Sequence, residues 1–482
     1  MAGLDPDDWG SLRALGHRML DDMIDRLATQ SSDADPAANP VWRPMPASER
    51  QALRRSLPRG PSDPAALYSE FQQRIVPYAL GNTHPRFMGW VHGGGTGIGM
   101  LAEMLAAGLN ANLGGRDHAP IELERTVVRW AAEMVGMPDT SSGLLVTGSS
   151  MANMIAVLTA RRAHAGPSVR HGGVGGLGMV GYAGSSAHGC IPRAFDMAGL
   201  GTDALRAVPV DAHHRMSLPA LEAAIARDHA AGLHPFIVVA TAGSVDTGAV
   251  DDLDAIATFC AREGIWFHVD GAFGALAALS PTLRPRLAGI ERADSLAFDF
   301  HKWAQVPYDA GCVVVRDAQA QADAFAQTLA YLSREDRGAA SNAPWPCDLG
   351  PDLSRGFRAL KVWMTLGTYG ADRMGEMVDQ CCAVARHLAA RIEAEPDLEL
   401  LAPVSLNIVC FRFRRGAEDL DWFNAELVKD LHESGIAVPS TTTINGVRAI
   451  RAAIVNHRTE HQDVDIMVDG LLGLAASRRS MF

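Results

Sequence analysis

The sequence of 482 residues is almost without lysine: only Lys302, Lys361 and Lys429 occur, and every other basic residue is arginine. It also lacks a basic surplus. Its 55 acidic against 43 basic side chains give a net charge of -12, which excludes the electrostatic footprint of a protein that binds nucleic acid or an anionic membrane. No apolar run approaches the roughly 18 residues that span a bilayer. The start, MAGLDPDDWG, is acidic where a secretory signal is basic, so a cytoplasmic location is expected. The seven cysteines, Cys190, Cys260, Cys312, Cys347, Cys381, Cys382 and Cys410, form no CxxC pair. They therefore read as buried thiols and not as disulfides or a zinc site. What is present in quantity is apolar: 48% of the residues are hydrophobic, enough for two or three packed units at about 100–200 residues each.

With amines so rare, the position of each one matters. Lys361 in FRALKVWMTL and Lys429 in NAELVKDL lie in helical patterns, where a solvated lysine is ordinary. Lys302 instead closes the apolar, strand-like run SLAFDFHKW. A partly desolvated lysine can lose its proton near neutral pH and attack a carbonyl.

Leu12, Leu15, Met19, Met23 and Leu27 make one apolar face of a predicted first helix, which needs another domain or subunit to cover it. From about Met100 the pattern alternates. Short β-rich runs, GLLVTG, MVGYAG, LRAVPV, FIVVATAG, IWFHVDGAFG, SLAFDF and GCVVVR, are separated in several places by helical patterns such as Leu218 to Ala230. Strands that are apolar throughout and alternate with helices predict an α/β fold, a mostly parallel central sheet with helices on both faces. After Arg355 one long helical pattern leads to a smaller α+β stretch with strands in LNIVCFRF and VRAIRAAIV.

Three further motifs carry candidate chemistry. Gly173, Gly175 and Gly178 fit G-x-G-x-x-G, but the strand follows the glycines where the dinucleotide fingerprint needs it before, so they read as a loop. In LLVTGSSMANM, Gly148, Ser149 and Ser150 sit between a strand and a helix. They can cradle a phosphate; they also approach the nucleophile elbow G-x-S-x-G, with Ala152 in place of glycine, or form a plain serine cap. His268 and Asp270 stand two apart on one strand, a spacing open to a metal pair. Asp270 at the strand end can alternatively cap a helix or meet a ligand beyond the carboxyl ends of the strands. A phosphate cradle, a strand-end aspartate and a strand-end lysine are together what pyridoxal 5'-phosphate (PLP) requires.

The chain resembles the group II PLP-dependent amino-acid decarboxylases, the aromatic-L-amino-acid decarboxylases among them. The likeness runs through RALGHRML, THPRFMGW, IELERTVVRWAAEMVG, TGSSMAN, SSAHGC, VATAGSVDTGAVDDL, HVDGAFG, ADSLAFDFHKW, VPYDAG, YLS and FRALKVW. It implies PLP as cofactor and the fold-type-I, aspartate-aminotransferase-like architecture, with an N-terminal helical arm over 1–96, a large PLP-binding domain over 97–372 and a small C-terminal α+β domain over 373–482. It further implies a homodimer with active sites at the interface and an amino acid as the small-molecule substrate. Lys302 matches the family's Schiff-base lysine, Asp270 the partner of the pyridinium and Ala272 the small residue against the ring. His188 matches the histidine stacked on the other face, Thr241 a cofactor-contacting threonine, and Ser149, Ser150 and His301 the phosphate positions. Tyr331 in AYLS matches the loop tyrosine that protonates the carbon left by carbon dioxide. Trp90 and His92 fall in the stretch that lines the substrate pocket, and Trp90 favours an aromatic L-amino acid. Asp299 stands where many relatives have asparagine or serine near the phosphate. A second anion there is unfavourable unless paired or turned away, so it is not counted as a cofactor residue. The rival readings are a same-fold enzyme that forms an aldehyde or cleaves a carbon–carbon bond, a serine hydrolase using Ser150, and a PLP-binding protein without turnover.

Overall fold

The computed structural model describes residues 3–30, 39–327 and 334–480. Seven strands form its main sheet: β1 (Ser142–Val146), β2 (Met179–Gly184), β3 (Leu205–Val208), β4 (His234–Thr241), β5 (Trp266–Asp270), β6 (Ser295–Asp299) and β7 (Gly311–Val315). Their order is β1-β7-β6-β5-β4-β2-β3. Pairing is parallel from β6 through β5, β4 and β2 to β3, and β7 alone runs antiparallel to both neighbours. The expected α/β sheet is therefore observed with one reversed strand. Its strands read as unbroken apolar runs because both faces are covered: Phe236, Ile237, Val238 and Val239 in β4 are all fully buried. Each such side chain contributes roughly 1.5–3 kcal/mol relative to exposure.

A second, antiparallel sheet has the order β10-β11-β9-β8, from β8 (Leu398–Leu400), β9 (Ile408–Phe413), β10 (Ser440–Ile444) and β11 (Val447–Ala453). Only β9 and β11 are legible as apolar runs. β8 is three residues long and β10 reads STTTI; both are edge strands, where one flank needs no apolar partner.

The single helical pattern after Arg355 is two helices, Arg358–Tyr369 and Ala371–Ala394. Gly370 between them has φ +77°, a left-handed conformation that stops a helix and favours glycine. The reading of Lys361 as a solvated lysine is overturned. Its helix packs against both Gly97–Leu109 and Ala119–Val135, so Lys361 is buried, with Nζ 3.0 Å from Glu103 Oε2. Lys429 is exposed as expected and pairs with Glu426. The first helix forms at Trp9–Ala28, yet of its apolar stripe only Leu15 is buried and Leu12 stays exposed. Six of the seven cysteines are buried and free; Cys347 is half-buried. Gly173 and Gly175 lie in a loop ahead of β2 with open space where a Cβ would stand, as their context predicts. Among the described residues no helix is long and apolar enough to cross a membrane.

One buried ion pair ties the layers together. Arg355 donates to Glu124 at 3.0 and 2.5 Å and to the carbonyls of Leu113 and Leu145, while Glu124 Oε1 accepts from Leu145 N at 2.9 Å. Arg355→Met is expected to cost about 3–5 kcal/mol in denaturant unfolding, because it strands the buried Glu124 carboxylate; Glu124→Leu added to it should restore part of that loss.

Candidate active site

The carboxyl ends of β1, β4, β5 and β6 lie along one edge of the sheet, the edge where ligands of parallel α/β sheets are held. Strand register sets the neighbours: Thr241 pairs with Asp270, and Asp270 with Ala297. Asp299 N then donates to Ala272 O at 2.9 Å. Thr241, Asp270, Ala272, Asp299, His301 and Lys302 are thus brought to one place by backbone pairing alone.

Asp270 is buried, and its carboxylate accepts from Ala272 N at 3.1 Å. Burial pushes its pKa up, against the opposing pull of Lys302, the Ala272 amide and His188. Behind it runs a chain of polar contacts, in which His268 Nδ1 also meets Ser295 O at 3.1 Å. Trp266 Nε1 donates to Ser295 Oγ (2.8 Å), which meets His268 Nδ1 (2.9 Å); His268 Nε2 meets Asn153 Oδ1 (2.6 Å); Asn153 Nδ2 donates to Cys190 Sγ (3.3 Å); and the thiol faces Asp270 Oδ2 at 4.0 Å. His268 is thereby occupied at both ring nitrogens, and burial lowers its pKa to about 4, so it serves as a neutral link and not as one half of a metal pair. His188 is exposed, and its ring is oriented by Cys190 N, which donates to Nδ1 at 3.1 Å.

At the other end, Lys302 Nζ lies 2.8 Å from Asp299 Oδ2. The same carboxylate accepts from Ser149 N (2.5 Å) and Ser149 Oγ (2.7 Å). Asp299 is therefore paired, in the interior, and at the centre of the cradle. The sequence left it aside, and the helix Ser149–Ala165 has no side-chain cap of its own at Gly148, so Asp299 reaches across from β6 to supply one. Ser149 is buried and Ser150 exposed. His301 Nδ1 accepts from Ala310 N at 3.0 Å, which turns Nε2 toward Asp299 at 3.8 Å. Burial holds the His301 pKa below its usual value, although Asp299 opposes the shift. Two glycines permit this convergence: a Cβ at Gly311 would stand 2.4 Å from Gly148 Cα, and one at Gly93 would stand 2.2 Å from Lys302 O.

The loop through Gly93 brings the pocket residues. Phe87, His92 and Trp90 stack with ring centres 5.7 to 6.1 Å apart, and His92 meets the edge of Tyr308 at 5.8 Å. Tyr308 in turn lies 4.3 Å from the His301 ring. Burial, then Lys302 and His301, lower the His92 pKa. Trp90 is half-exposed with φ +50°, a conformation unfavourable for a bulky residue. Arg451, buried among the strands of the second sheet, holds its carbonyl at 2.8 Å.

Of the residues singled out in the sequence, those at 149, 188, 241, 270, 272, 301 and 302 gather at this edge, and Trp90 and His92 form a wall beside Tyr308. Tyr331 lies outside the described residues. Asn153, Cys190, Tyr308 and Arg451 were not singled out, since nothing in their local patterns distinguishes them from core or loop residues. The donor set suits a phosphorylated pyridine aldehyde. A primary amine stands in the turn three residues past the end of β6, a buried carboxyl that would be relieved by a cation stands at the end of β5, and a helix N-terminus with Ser150 and His301 beside it stands beyond β1.

The family model described as "Pyridoxal-dependent decarboxylase conserved domain" matches residues 46–414. An aromatic-L-amino-acid decarboxylase of Bacillus atrophaeus is 32% identical over 462 residues, covering 94% of this chain and 93% of its own. An L-2,4-diaminobutyrate decarboxylase of Rhizobium meliloti is 30% identical over 419 residues, covering 86% and 83%. The crystal structure of Oryza sativa TDC with PLP and tryptamine superposes with a TM-score of 0.89 at 26% identity, over 98% of this chain and 99% of that one.

Proposed function

Since this chain belongs to the pyridoxal-dependent decarboxylase family and takes PLP as its cofactor, we propose that it converts an aromatic L-amino acid to the corresponding amine and carbon dioxide. When bound, the cofactor supplies an electron sink into which the electrons of the broken Cα–carboxylate bond can move. Everything else is the work of the chain.

Lys302 is the amine that would hold the cofactor through its aldehyde carbon. Asp270 holds a proton on the pyridine nitrogen: a carboxylate buried at this depth is stabilised by a cation against it, and the chain from Trp266 to Cys190 fixes its orientation. Ala272 and His188 would take the two faces of the ring, with Thr241 beside it, and Ser150 and His301 would take the phosphate end, where Ser149 donates to Asp299. Tyr331 returns a proton to Cα after carbon dioxide leaves.

One observation carries the choice of substrate class. Trp90, His92 and Tyr308 form a wall of ring faces and edges beside Lys302. A diamino acid needs a carboxylate for its distal ammonium, but the nearby Asp309 is committed to Arg358 Nε at 2.8 Å. An aromatic side chain stacks on the wall without such a partner. The helices Gly97–Leu109 and Arg358–Tyr369 pack together yet leave Met104, Leu105, Leu109 and Trp363 exposed; a second copy of the chain covering these residues would make the proposed homodimer, which sedimentation can test.

The functional test is a panel of aromatic, acidic and diamino L-amino acids with the PLP-loaded protein, measuring carbon dioxide and amine. Equal amounts of both from an aromatic substrate are expected. Aldehyde in place of amine, or turnover of diamino acids alone, would overturn the proposal. Trp90→Ala is expected to raise KM for the aromatic substrate about three- to tenfold with kcat little changed, the scale of one aromatic contact.

A further inference from the structure

We propose that Asp299 is a built-in anion that holds the phosphate end of the site in a self-neutralised state, so that the phosphate of PLP adds little to binding; this rests on the function proposed above. Four observations support it. Both donors of Ser149, the N–H and the hydroxyl, are spent on the Asp299 carboxylate at 2.5 and 2.7 Å. These are donors that an anion at this helix N-terminus would otherwise receive. The Asp299 side chain is only 2% exposed, so water and salt screen its charge poorly. Lys302 Nζ at 2.8 Å completes an internal ion pair. And the backbone that carries the carboxylate is fixed: Asp299 is paired with Gly311 in β7 and its N–H donates to Ala272 O, while Gly311 is packed against the backbone of Gly148.

Among the described residues, a phosphate arriving at this end meets Ser150 and Nε2 of His301, which itself leans toward Asp299. It meets a fixed like charge, and the lysine that must take the aldehyde is already paired to that charge. A neutral side chain of the same shape would reverse each of these effects: an asparagine keeps an acceptor for Ser149, offers an N–H to the phosphate and carries no charge. Asp299 is on this reading a positioning residue that sets how firmly the cofactor is retained.

The test compares wild type and Asp299→Asn, both stripped of cofactor, for binding of PLP and of pyridoxal, the same aldehyde without phosphate, by visible absorbance and tryptophan fluorescence. Loss of the Lys302 partner acts on both ligands alike; relief of repulsion acts only on the phosphorylated one. Asp299→Asn is therefore expected to tighten PLP about tenfold more than it tightens pyridoxal. An equal change for the two ligands, or a relative weakening of PLP, would overturn the proposal. A measurement on wild type alone guards against a variant that does not fold: a PLP-to-pyridoxal affinity ratio below about tenfold supports the proposal, and a larger ratio overturns it. Binding of neither aldehyde by wild type would instead overturn the assignment of Lys302 as the cofactor's amine.

Discussion

Lys302→Ala is expected to lower turnover by on the order of 10⁴-fold or more, the scale seen when the group bonded to the reacting species is removed, and to abolish the visible absorbance of lysine-bound cofactor. No other lysine can stand in. Lys361 is buried against Glu103 in a helix, and Lys429 is exposed beside Glu426 on another. The variant leaves Asp299 without its cation, so a modest fall in melting temperature accompanies the loss. That fall can be separated from the loss of activity by assaying well below the melting transition. Retained turnover together with retained absorbance would contradict the role given to Lys302.

Asp270→Asn is expected to lower kcat by about 10²–10³-fold, the range for removing one preorganised electrostatic group, and to weaken PLP binding in step. The sign of its effect on stability depends on the cofactor. Burial raises the carboxyl pKa of the cofactor-free chain above its unfolded value. The folded state then binds the extra proton between those two values, and stability declines as pH rises through that window. Removing the acid should therefore leave the cofactor-free chain as stable as wild type or slightly more so at neutral pH. The extra stability that PLP confers on wild type should largely vanish in the variant. Thermal melts with and without PLP check both halves. A cofactor-free variant destabilised by several degrees would mean that Asp270 is a structural residue first.

The parts of the site that were legible share one property: each is marked by where it falls on the chain. Lys302 and Asp270 stand out because a charged residue closes an apolar strand, and Ser149 and Ser150 because they lie between a strand and a helix. His188, Thr241 and Tyr331 came from the family resemblance. What the sequence did not reveal depends on approach between distant segments. Asn153 lies in mid-helix and Cys190 in the first turn of another helix, and only the folded sheet joins them to His268 and Asp270. Tyr308 sits in a loop and gains meaning from its contact with His301.

Asp299 shows the same limit from the other side. Its charge is visible in the sequence, but the partners that make it tolerable, Ser149 and Lys302, are set by β6 passing the end of the helix Ser149–Ala165. In the fold at large, the strands buried on both faces were readable and the edge strands β8 and β10 were not. Lys361 was misjudged because the face of its helix that carries it is covered by two other helices, while Trp363 on another face stays exposed.

The most direct test of the chemistry is to reduce the PLP-loaded protein with borohydride, digest it and locate the attached pyridoxyl group by mass spectrometry. The expected result is one modified peptide, with the added mass on Lys302. Modification at Lys361 or Lys429, or no modification at all, would contradict the assignment.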